Sequence, residues 1–440
     1  MIQQIVFSLL TLAVFFVAGR QFWHIRNKIF LGKAEPIGGD TGKRWKHVLL
    51  VAFGQQKMFS NWIPAFFHLC IYVAFLFTQI ELIEILLDGF AGVHRFFAPI
   101  LGIFYTLIIS TIEVLSLLAF VATLVFLVRR NLLQVPRLSK PEMKGWPALD
   151  ANLILVAEIL LITGIFSMNG ADVLLQQLDP AHYPDTGRLL ISSFTGPALF
   201  GALDTQTLVV VERFGWWLHI LVVYGFLLYL PFSKHLHILL AFPNTYFASL
   251  EPRGAMENMP EVMQEVKVMM GLAPETSGSD TDELPDFGAH DVFALSRLNL
   301  LNAYTCTECG RCTAVCPANL TGKKLSPRKV MMDIRDRADE VARTIAASDG
   351  KLHPKNYDDG KSLFDYISKE EIHACTTCNA CVEACPVLIN PLDPILKLRR
   401  YEILTQSEGP AEWLPMFNSI ENAGSAWAIS DPRDQWTTAS

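Results

Sequence analysis

The chain reads Cys306-Thr-Glu-Cys309-Gly-Arg-Cys312-Thr-Ala-Val-Cys316-Pro317 and, further on, Cys375-Thr-Thr-Cys378-Asn-Ala-Cys381-Val-Glu-Ala-Cys385-Pro386, and these two blocks decide how its C-terminal part folds. Each block has the pattern C-x2-C-x2-C-x3-C-P, in which three thiolates surround one [4Fe–4S] cluster and the fourth reaches another cluster. Together they use eight of the nine cysteines. Structural zinc needs four ligands and not a repeated block of this spacing. The sequence therefore predicts two [4Fe–4S] clusters.

The pairing of the blocks follows from two-cluster ferredoxins, in which the fourth cysteine of each block ligates the other cluster. One cluster is then expected on Cys306, Cys309, Cys312 and Cys385, and the other on Cys375, Cys378, Cys381 and Cys316. The ninth cysteine, Cys70, lies in an apolar segment and is interpreted as a packing residue.

Two helix start signals lie between the two blocks. Ser326-Pro327 is typical of an N-cap followed by proline in the first turn. Ser368 and Glu371 have the spacing of a capping box. Both signals predict an all-helical, ferredoxin-like dicluster domain.

The composition indicates a membrane protein. The chain is 51% hydrophobic and only 18% charged, whereas soluble domains are about 25% charged. Five apolar stretches are long enough to span a bilayer, near 4–23, 62–87, 98–128, 150–168 and 212–233. The net charge of −7 and the absence of a basic stripe argue against nucleic-acid binding.

Lysine and arginine are distributed unevenly among the connections between these stretches. Seven lie between residues 24 and 61 and five between 129 and 149, whereas 88–97 contains only Arg95 and 169–211 only Arg188. The positive-inside rule then places the N-terminus outside and the cysteine blocks in the cytoplasm. We expect a multi-pass protein of the bacterial inner membrane, with the clusters in a reducing compartment.

Histidines inside apolar spans suggest cofactor ligation. His68 lies early in the second span, and His219 lies in the fifth span. His237 follows His219 by 18 residues, which is five turns and about 27 Å of one continuous helix. In such a helix His235 would point to the opposite side. The alternative is that His219 is a packed histidine and that His235 and His237 anchor the helix at the membrane surface.

These histidines carry a resemblance. Pro231-Phe232, Lys234 and His237, with His219 upstream and Phe67-His68 in the second span, make the membrane half similar to the cytochrome b subunit of respiratory nitrate reductase and its heterodisulfide reductase relatives. The resemblance implies haem b, with His68 and His237 as ligands of an inner haem and His219 as a ligand of an outer one.

The chain differs from that family in the ligands for a second haem. Thr78 and Gln79 occupy the region where the family has its second histidine, and His94, in the outer loop, would have to fold back to replace it. One haem is therefore expected, and a single haem held by His68 and His219 remains an alternative.

Carboxylates in the spans are costly unless paired or hydrated, and they often mark proton routes. Glu81, Glu84, Glu113 and Glu158 are of this kind. One of them is a candidate to exchange protons with quinone; the alternative is a protonated glutamic acid hydrogen-bonded between helices.

The chain is expected to have four parts: a five-helix cytochrome-b-like membrane domain over 1–240, an amphipathic connector and linker over 241–286, the dicluster domain over 287–405, and a tail over 406–440. The tail carries Trp413, Phe417, Trp427 and Trp436 among polar residues. We expect these aromatic side chains to dock a partner, the alternative being that they fold back on the dicluster domain.

The two halves together resemble bacterial membrane Fe–S oxidoreductases related to heterodisulfide reductase. That resemblance implies an electron-transfer subunit that carries single electrons between a cytoplasmic partner and membrane quinone. The implied partner is an Fe–S subunit with tandem-cysteine CCG motifs, fed by an electron-transfer flavoprotein, because this chain has no CCG motif of its own. A membrane-anchored Fe–S scaffold or redox sensor without haem or quinone is the alternative.

Overall fold

The structure is a computed structural model that describes residues 1–252, 254–256, 258–274, 287–348, 356–427 and 434–437. Within these ranges the chain is helical, with no strand beyond an isolated bridge between Lys33 and Ser296. The predicted mainly α fold is confirmed. The polar linker predicted at 276–282 lies outside the described residues.

The N-terminal half contains the long helices of the molecule. Its helices are α1 (Ile2–Ile29), α2 (Thr41–His47), α3 (Trp62–Ala91), α4 (Ala98–Leu101), α5 (Ile103–Asn131), α6 (Trp146–Leu178), α7 (Ser192–Phe200), α8 (Thr205–Tyr229) and α9 (His237–Phe247). Short 3-10 or π-helical turns occupy Val48–Phe53, Gln56–Ser60, Pro136–Leu138, Pro141–Met143, Leu230–Phe232 and Lys234–Leu236.

Five of these helices are long and apolar enough to cross a membrane: α1, α3, α5, α6 and α8 with its turn to Phe232. The prediction of five spanning helices is confirmed. Three helices, α1, α3 and α6, extend beyond their predicted stretches, and α6 continues to Leu178. The predicted bounds 98–128 are wrong, because the chain breaks at Gly102 (φ 54°) and α5 begins at Ile103. The predicted bounds 212–233 are also wrong, because α8 runs from Thr205 to Tyr229.

A close helix–helix contact joins α6 to α8 through two glycines. A Cβ atom on Gly215 would lie 2.6 Å from the Met168 nitrogen and 2.8 Å from the Gly164 oxygen. Small residues of this kind let helices in a membrane approach backbone to backbone. The contact places His219, one turn after Gly215, directly against α6.

The C-terminal half consists of shorter helices and turns. Its helices are α10 (Pro260–Met269), α11 (Arg297–Thr305), α12 (Arg311–Ala314), α13 (Pro317–Leu320), α14 (Pro327–Ala347), α15 (Lys369–His373), α16 (Ala380–Ala384), α17 (Leu392–Arg400) and α18 (Leu414–Ala423). Short 3-10 or π-helical turns occupy Leu363–Asp365, Tyr401–Thr405, Ala411–Trp413 and Gln435–Thr437.

Two predicted helix caps are present. The Ser326 side chain accepts a hydrogen bond from the Lys329 N–H at the start of α14, where Pro327 is the first helical residue. Ser368 and Glu371 form a reciprocal capping box at the start of α15. These caps fix the helices that precede and follow the long connection between the two cysteine blocks.

The two halves share one hydrophobic core. The cluster of buried side chains that contains Leu300, Val330 and Leu398 also contains Ile25 of α1 and Leu236. Below we call the end of each spanning helix that faces this core its inner end, and the opposite end its outer end. The N-terminus and the segments 92–102 and 179–204 lie at the outer end, because α1 and α8 bring their C-terminal residues to the shared core.

Polar contacts reinforce this junction. The Lys33 N–H donates to the Leu295 oxygen at 2.8 Å, and the Arg297 N–H donates to the Lys33 oxygen at 2.9 Å. Lys28 of α1 forms an ion pair of 2.7 Å with Asp339 of α14. The C-terminal domain is therefore fixed to the inner ends of the bundle by main-chain bonds as well as by side chains.

The α6–α8 contact can be tested with Gly215→Ala. The new methyl group meets backbone atoms that cannot move aside, so the helices must separate and the thermal midpoint of the detergent-solubilised protein should fall. Gly225→Ala on the same helix is the matched control, since a Cβ there meets nothing within 4 Å; alanine should be neutral or stabilise α8 by up to about 1 kcal/mol. Equal midpoints for the two variants would contradict the close contact.

Candidate functional site

The first cysteine block forms a buried group of thiols around α12. Burial raises the pKa of Cys306 to about 12, with the Glu308 carboxylate and the neighbouring thiols of Cys309 and Cys385 as smaller causes. Burial also raises the pKa of Cys312, with Cys309, Cys306 and Cys385 as further causes. The structure therefore brings Cys385, from the second block, to the first three cysteines of the first block.

The second group of thiols lines a small cavity. Its walls include Cys316, Cys375, Cys378 and Cys381, and Leu392 and Ile395 close it on one side. Burial raises the pKa of Cys381 to about 12, and Cys375 and Cys316 add to the shift.

The two groups of thiols fit two four-thiolate centres and not single ions. Thiols that resist deprotonation to this degree become thiolates when a metal replaces the proton. Within the described ranges no three His, Cys, Asp or Glu side chains approach closely enough to bind one metal ion. The sulfurs that bind a four-iron cluster lie farther apart than the ligands of a single ion.

Both cysteine blocks use the left-handed backbone region at the same two positions. Glu308 and Gly310 have φ of 54° and 72°, and Thr377 and Asn379 have φ of 56° and 61°. A Cβ on Gly310 would lie 2.4 Å from Arg328 Nη1, so glycine is required there. The curled backbone is consistent with loops that wrap a cluster and direct N–H groups to sulfur, as Ile389 does to Cys385 Sγ at 3.2 Å.

Glu308 ties the first block to the inner end of the membrane bundle. Its carboxylate forms ion pairs with Lys234 and, at 2.8 Å, with Arg335. The Lys234 ammonium also donates to the Pro147 oxygen at 2.7 Å. Burial opposes the charged form of Glu308, but Lys234 and Arg335 hold its pKa below the usual value. The carboxylate and ammonium thus stay charged although both side chains are less than 10% exposed.

Arg311 makes a second connection from the first block to the membrane helices. Its guanidinium donates to the carbonyl oxygens of Lys57 and Met58, each at 3.2 Å, and to Ser60 Oγ. These residues form the turn that leads into α3, and Gln55 lies just before them. The turn is therefore held by the loop that carries Cys309 and Cys312.

His68 and His237 meet at the inner end of the bundle. His68 Nδ1 lies 3.1 Å from Gln55 Oε1, and His237 Nδ1 donates to the Lys234 oxygen at 3.0 Å. The two imidazoles are within electrostatic range of each other. A hydrogen bond at Nδ1 orients the ring and leaves Nε2 for a metal, as in many metal-bound histidines. Both side chains thus fit the role of haem ligands.

His235 lies beside His237, and the prediction that it points to the opposite side is wrong. The rings are 5.7 Å apart between centroids. Burial lowers the pKa of His235 to about 3, with His237 and His68 adding to the effect. This imidazole is therefore neutral, and its Nδ1 is buried with no hydrogen-bond partner among the described residues.

The helical-phase prediction fails because the helix does not continue from His219 to His237. It ends at Tyr229, Pro231 occupies a 3-10 turn, and Ser233 is extended. Asp150 at the start of α6 holds this break: it accepts hydrogen bonds from the Tyr229 hydroxyl, the Ser233 hydroxyl and the Lys234 N–H. A continuous helix would not bring His235 and His237 together.

His219 and His94 lie in different surroundings. His219 Nδ1 donates to the Leu161 oxygen of α6 at 3.3 Å, so its Nε2 remains for a ligand. His94 Nε2 lies 2.8 Å from Asp172 Oδ1, and its Nδ1 lies 3.4 Å from Arg213 Nη2. Both nitrogens of His94 are therefore engaged in an outer-end polar network.

The acids of the spans differ in their hydrogen bonding. Glu84 accepts from the Phe97 N–H and the Tyr105 hydroxyl. Glu113 accepts from two N–H groups at the start of α7 and from an asparagine. Glu81 is 1% exposed, and neither of its oxygens has a partner in the described part of the chain. Glu158 lies half-buried in the middle of α6.

A buried carboxyl without donors is far less costly as the neutral acid than as the anion. Of the acids that face the outer-end network, Glu81 is therefore the one whose surroundings favour a bound proton.

The first described residues of the tail pack on the C-terminal domain. The Trp413 ring packs 5.0 Å from His373, and Phe417 packs on Trp413. Trp427 and Trp436 are exposed by 66% and 79%. The fold-back alternative thus describes the first tail residues, while the later tryptophans remain exposed.

Sequence reasoning missed Asp150, Gln55, Glu308 and Arg311. Asp150 stands as an isolated acid at the start of the apolar stretch of α6, which was the one available signal. The other three are ordinary polar residues in loops, and their contacts connect positions far apart in the chain.

Comparison with known proteins supports the C-terminal domain. Residues 305–389 match the family model described as a 4Fe–4S dicluster domain, a range that includes both cysteine blocks. The chain therefore carries a 4Fe–4S dicluster domain on five helices capable of crossing a membrane. No solved structure matches the chain.

Similarity to whole proteins extends along both halves. The chain is 26% identical over 435 residues to the probable iron-sulfur-binding oxidoreductase FadF of Bacillus subtilis, covering 93% of this chain and 57% of the relative. It is 26% identical over 437 residues to the EtfAB:quinone oxidoreductase of Syntrophomonas wolfei, covering 93% and 56%. A probable membrane-anchored ferredoxin of Chromohalobacter salexigens is 30% identical over 137 residues, covering 28% and 19%. The chain thus spans less than two thirds of the length of these relatives.

Exchange of the fourth cysteines between clusters can be tested by Cys385→Ser and Cys316→Ser. We expect Cys385→Ser to alter the electron paramagnetic resonance signal of the cluster bound by Cys306, Cys309 and Cys312, and Cys316→Ser to alter the other. Cys70→Ser is the control and should leave both signals unchanged. A loss confined to the block that contains the substituted cysteine would contradict the exchange.

Glu308→Gln tests the ion pair with Lys234. The substitution leaves a buried ammonium without its main partner, a loss that costs about 3–5 kcal/mol, so the thermal midpoint of the holoprotein should fall. Removing a negative charge beside the first cluster should also make its midpoint potential more positive. Glu370→Gln is the control, because its partner Lys324 is 70% exposed and such pairs contribute about 1 kcal/mol or less. Similar effects for both variants would contradict this role of Glu308.

Proposed function

We propose that this chain is a membrane-anchored electron-transfer subunit that carries single electrons between a cytoplasmic redox partner and membrane quinone. The path runs through two [4Fe–4S] clusters and a haem b at the inner end of the bundle. Its direction follows from the potentials of the centres, which hydrogen bonds and burial set.

The ion pair between Lys234 and Glu308 is the observation that carries this proposal. Glu308 lies between Cys306 and Cys309, and Lys234 supplies the carbonyl that accepts from His237 Nδ1. One ion pair therefore connects the loop proposed to hold a cluster with the loop proposed to hold a haem. Arg311 adds the same kind of link from the cluster loop to the turn that leads to His68.

The proposed ligands follow from the donor sets. Cys306, Cys309, Cys312 and Cys385 would hold one cluster, and Cys375, Cys378, Cys381 and Cys316 the other. His68 and His237 would hold the haem through Nε2. The clusters and the haem supply reversible one-electron chemistry, while the chain positions their ligands and excludes water from the first cluster.

A second haem on His219 is not part of the proposal. His94 has both nitrogens occupied, so no histidine partner for His219 emerges at the outer end within the described residues.

The partners are proposed from the relatives. Because the EtfAB:quinone oxidoreductase relative extends well beyond the length that this chain matches, we propose an additional Fe–S module with CCG motifs as the partner, receiving electrons from a flavoprotein. The exposed Trp427 and Trp436 of the tail are proposed to dock it.

The orientation is proposed from the distribution of charge. The inner end carries the lysines and arginines of 24–61 and 129–149, so the inner end and the dicluster domain face the cytoplasm of a bacterium and the N-terminus lies outside.

A reduced-minus-oxidised absorption spectrum of the purified chain tests the haem. We expect a b-type band that disappears in His68→Ala and in His237→Ala, because each removes an axial ligand. His24→Ala, at an exposed position of α1, is the control and should retain the band. If the wild-type chain contains clusters but no such band, the Fe–S scaffold alternative replaces the haem proposal.

Quinone as the membrane partner is tested in liposomes. Addition of a reduced quinone analogue should reduce the clusters of the reconstituted chain, and His237→Ala should slow this reduction while leaving the cluster content unchanged. Equal rates in the two proteins would contradict electron transfer through the haem. No reduction of the wild-type clusters at any quinol-to-quinone ratio would overturn the quinone proposal.

A further inference from the structure

A pocket of about 890 Å³ opens at the inner end, between α1, α9 and α11. We call it the α1–α9 pocket. Its walls are mainly apolar and include Phe22, Ile25, Ile29, Leu240, Phe247 and Leu301. Its volume lies in the range of small-molecule sites, about 300–1,000 Å³.

The mouth of the pocket lies where α1 leaves the apolar layer. Phe30 and Leu239 at the rim are 44% and 45% exposed. The guanidinium carbons of Arg26 and Arg297 lie 4.2 Å and 4.3 Å from the centre of the Phe30 ring, so both guanidiniums pack on this ring. Neither guanidinium forms an ion pair with a carboxylate of the described residues. A ring carried by an apolar tail can enter here from the membrane surface while its tail stays outside the pocket.

Some polar side chains of the pocket are hydrogen-bonded within the protein, and others keep donors that a ligand could use. Arg44 is engaged by the carbonyls of Gly38, Tyr246 and Ala248. Arg26 and Arg297 retain donors that suit a carbonyl oxygen or the negative charge that develops on it. At the rim, Glu35 forms an ion pair of 2.8 Å with Lys397, and Glu251 is exposed.

The pocket lies close to both groups of proposed cofactor ligands. Leu236, in its wall, is the residue between His235 and His237. Leu301, in the opposite wall, precedes Cys306 by five residues on the helix that Cys306 ends, which is about 7.5 Å along the axis. A molecule in the pocket lies beside the loop of the proposed haem and beside the first cysteine block.

We propose that the α1–α9 pocket binds the ring of a membrane quinone, an inference that rests on the proposed function. The ring lies between the guanidiniums at the mouth and the apolar floor, and its isoprenoid tail extends along α1 into the bilayer. Conversion of quinone to quinol takes two electrons and two protons. The electrons reach the ring one at a time through the clusters and the proposed haem, and water at the rim supplies the protons through the exposed Glu251.

A photoreactive azidoquinone with the holoprotein in lipid nanodiscs tests this site. We expect labelled peptides from 22–37 and 236–251, with labelling suppressed by excess unlabelled quinone and not by excess phosphatidylglycerol. Suppression by phosphatidylglycerol instead would identify a phospholipid site and overturn the proposal, as would labelling confined to the outer end around His219 and Glu81.

Two variants connect labelling to electron transfer. Leu240→Trp fills the pocket and should abolish labelling and quinol-driven cluster reduction while the cluster and haem spectra persist; Leu132→Trp, at an exposed end of α5, is its control. Arg26→Gln keeps the fold because the residue is exposed, and it should raise the quinol KM roughly tenfold, the effect of one charge-assisted hydrogen bond. Arg20→Gln on the same helix should leave KM unchanged.

The failure of this inference is distinguishable from the failure of the proposed function. If quinol reduces the wild-type clusters and both pocket variants do so with unchanged KM and rate, the quinone site lies elsewhere and the electron-transfer function stands. If quinol neither labels the wild-type protein nor reduces its clusters, the proposed function and the pocket are overturned together.

Discussion

The buried ion pair between Lys234 and Glu308 is the constraint on which the inner end of this molecule depends. Desolvation of two charges is repaid only when the geometry is good and other polar groups satisfy them, and here Pro147, Arg335 and the Asp150-bound turn do so. Because Lys234 is fixed, its carbonyl is fixed, and with it the ring of His237. Because Glu308 is fixed, the loop between Cys306 and Cys309 keeps its left-handed conformation.

At the outer end, the charged side chains inside the helix bundle must be neutralised by partners. Asp172 pairs with Arg95, and Glu113 of α5 accepts two N–H groups at the start of α7, where the helix dipole favours an anion. The network leaves His94 no nitrogen for a metal. The metal-binding chemistry suggested by the structure therefore concentrates at the inner end, while the outer end holds the helices together.

The sequence predicted the local features and failed on the long-range ones. The cysteine spacing, the apolar stretches and the caps at Ser326 and Ser368 each depend on neighbours within a few residues, so they can be predicted from the sequence. The break in the helix at Pro231–Ser233 depends on Asp150, which is 83 positions from Ser233. No local sequence pattern predicts a contact between residues so far apart. A phase calculation therefore assumed a continuous helix and misplaced His235. Glu308 was, at the level of sequence, only a spacer between two cysteines.

The core that Ile25 and Leu236 share with the dicluster domain has a consequence for how the protein is made. Those two side chains come from the membrane half, so the C-terminal domain cannot complete its hydrophobic interior on its own. During synthesis the spanning helices emerge first and offer the surface on which the later helices condense. The C-terminal domain therefore reaches its final hydrophobic interior only when it packs on helices that were synthesised before it.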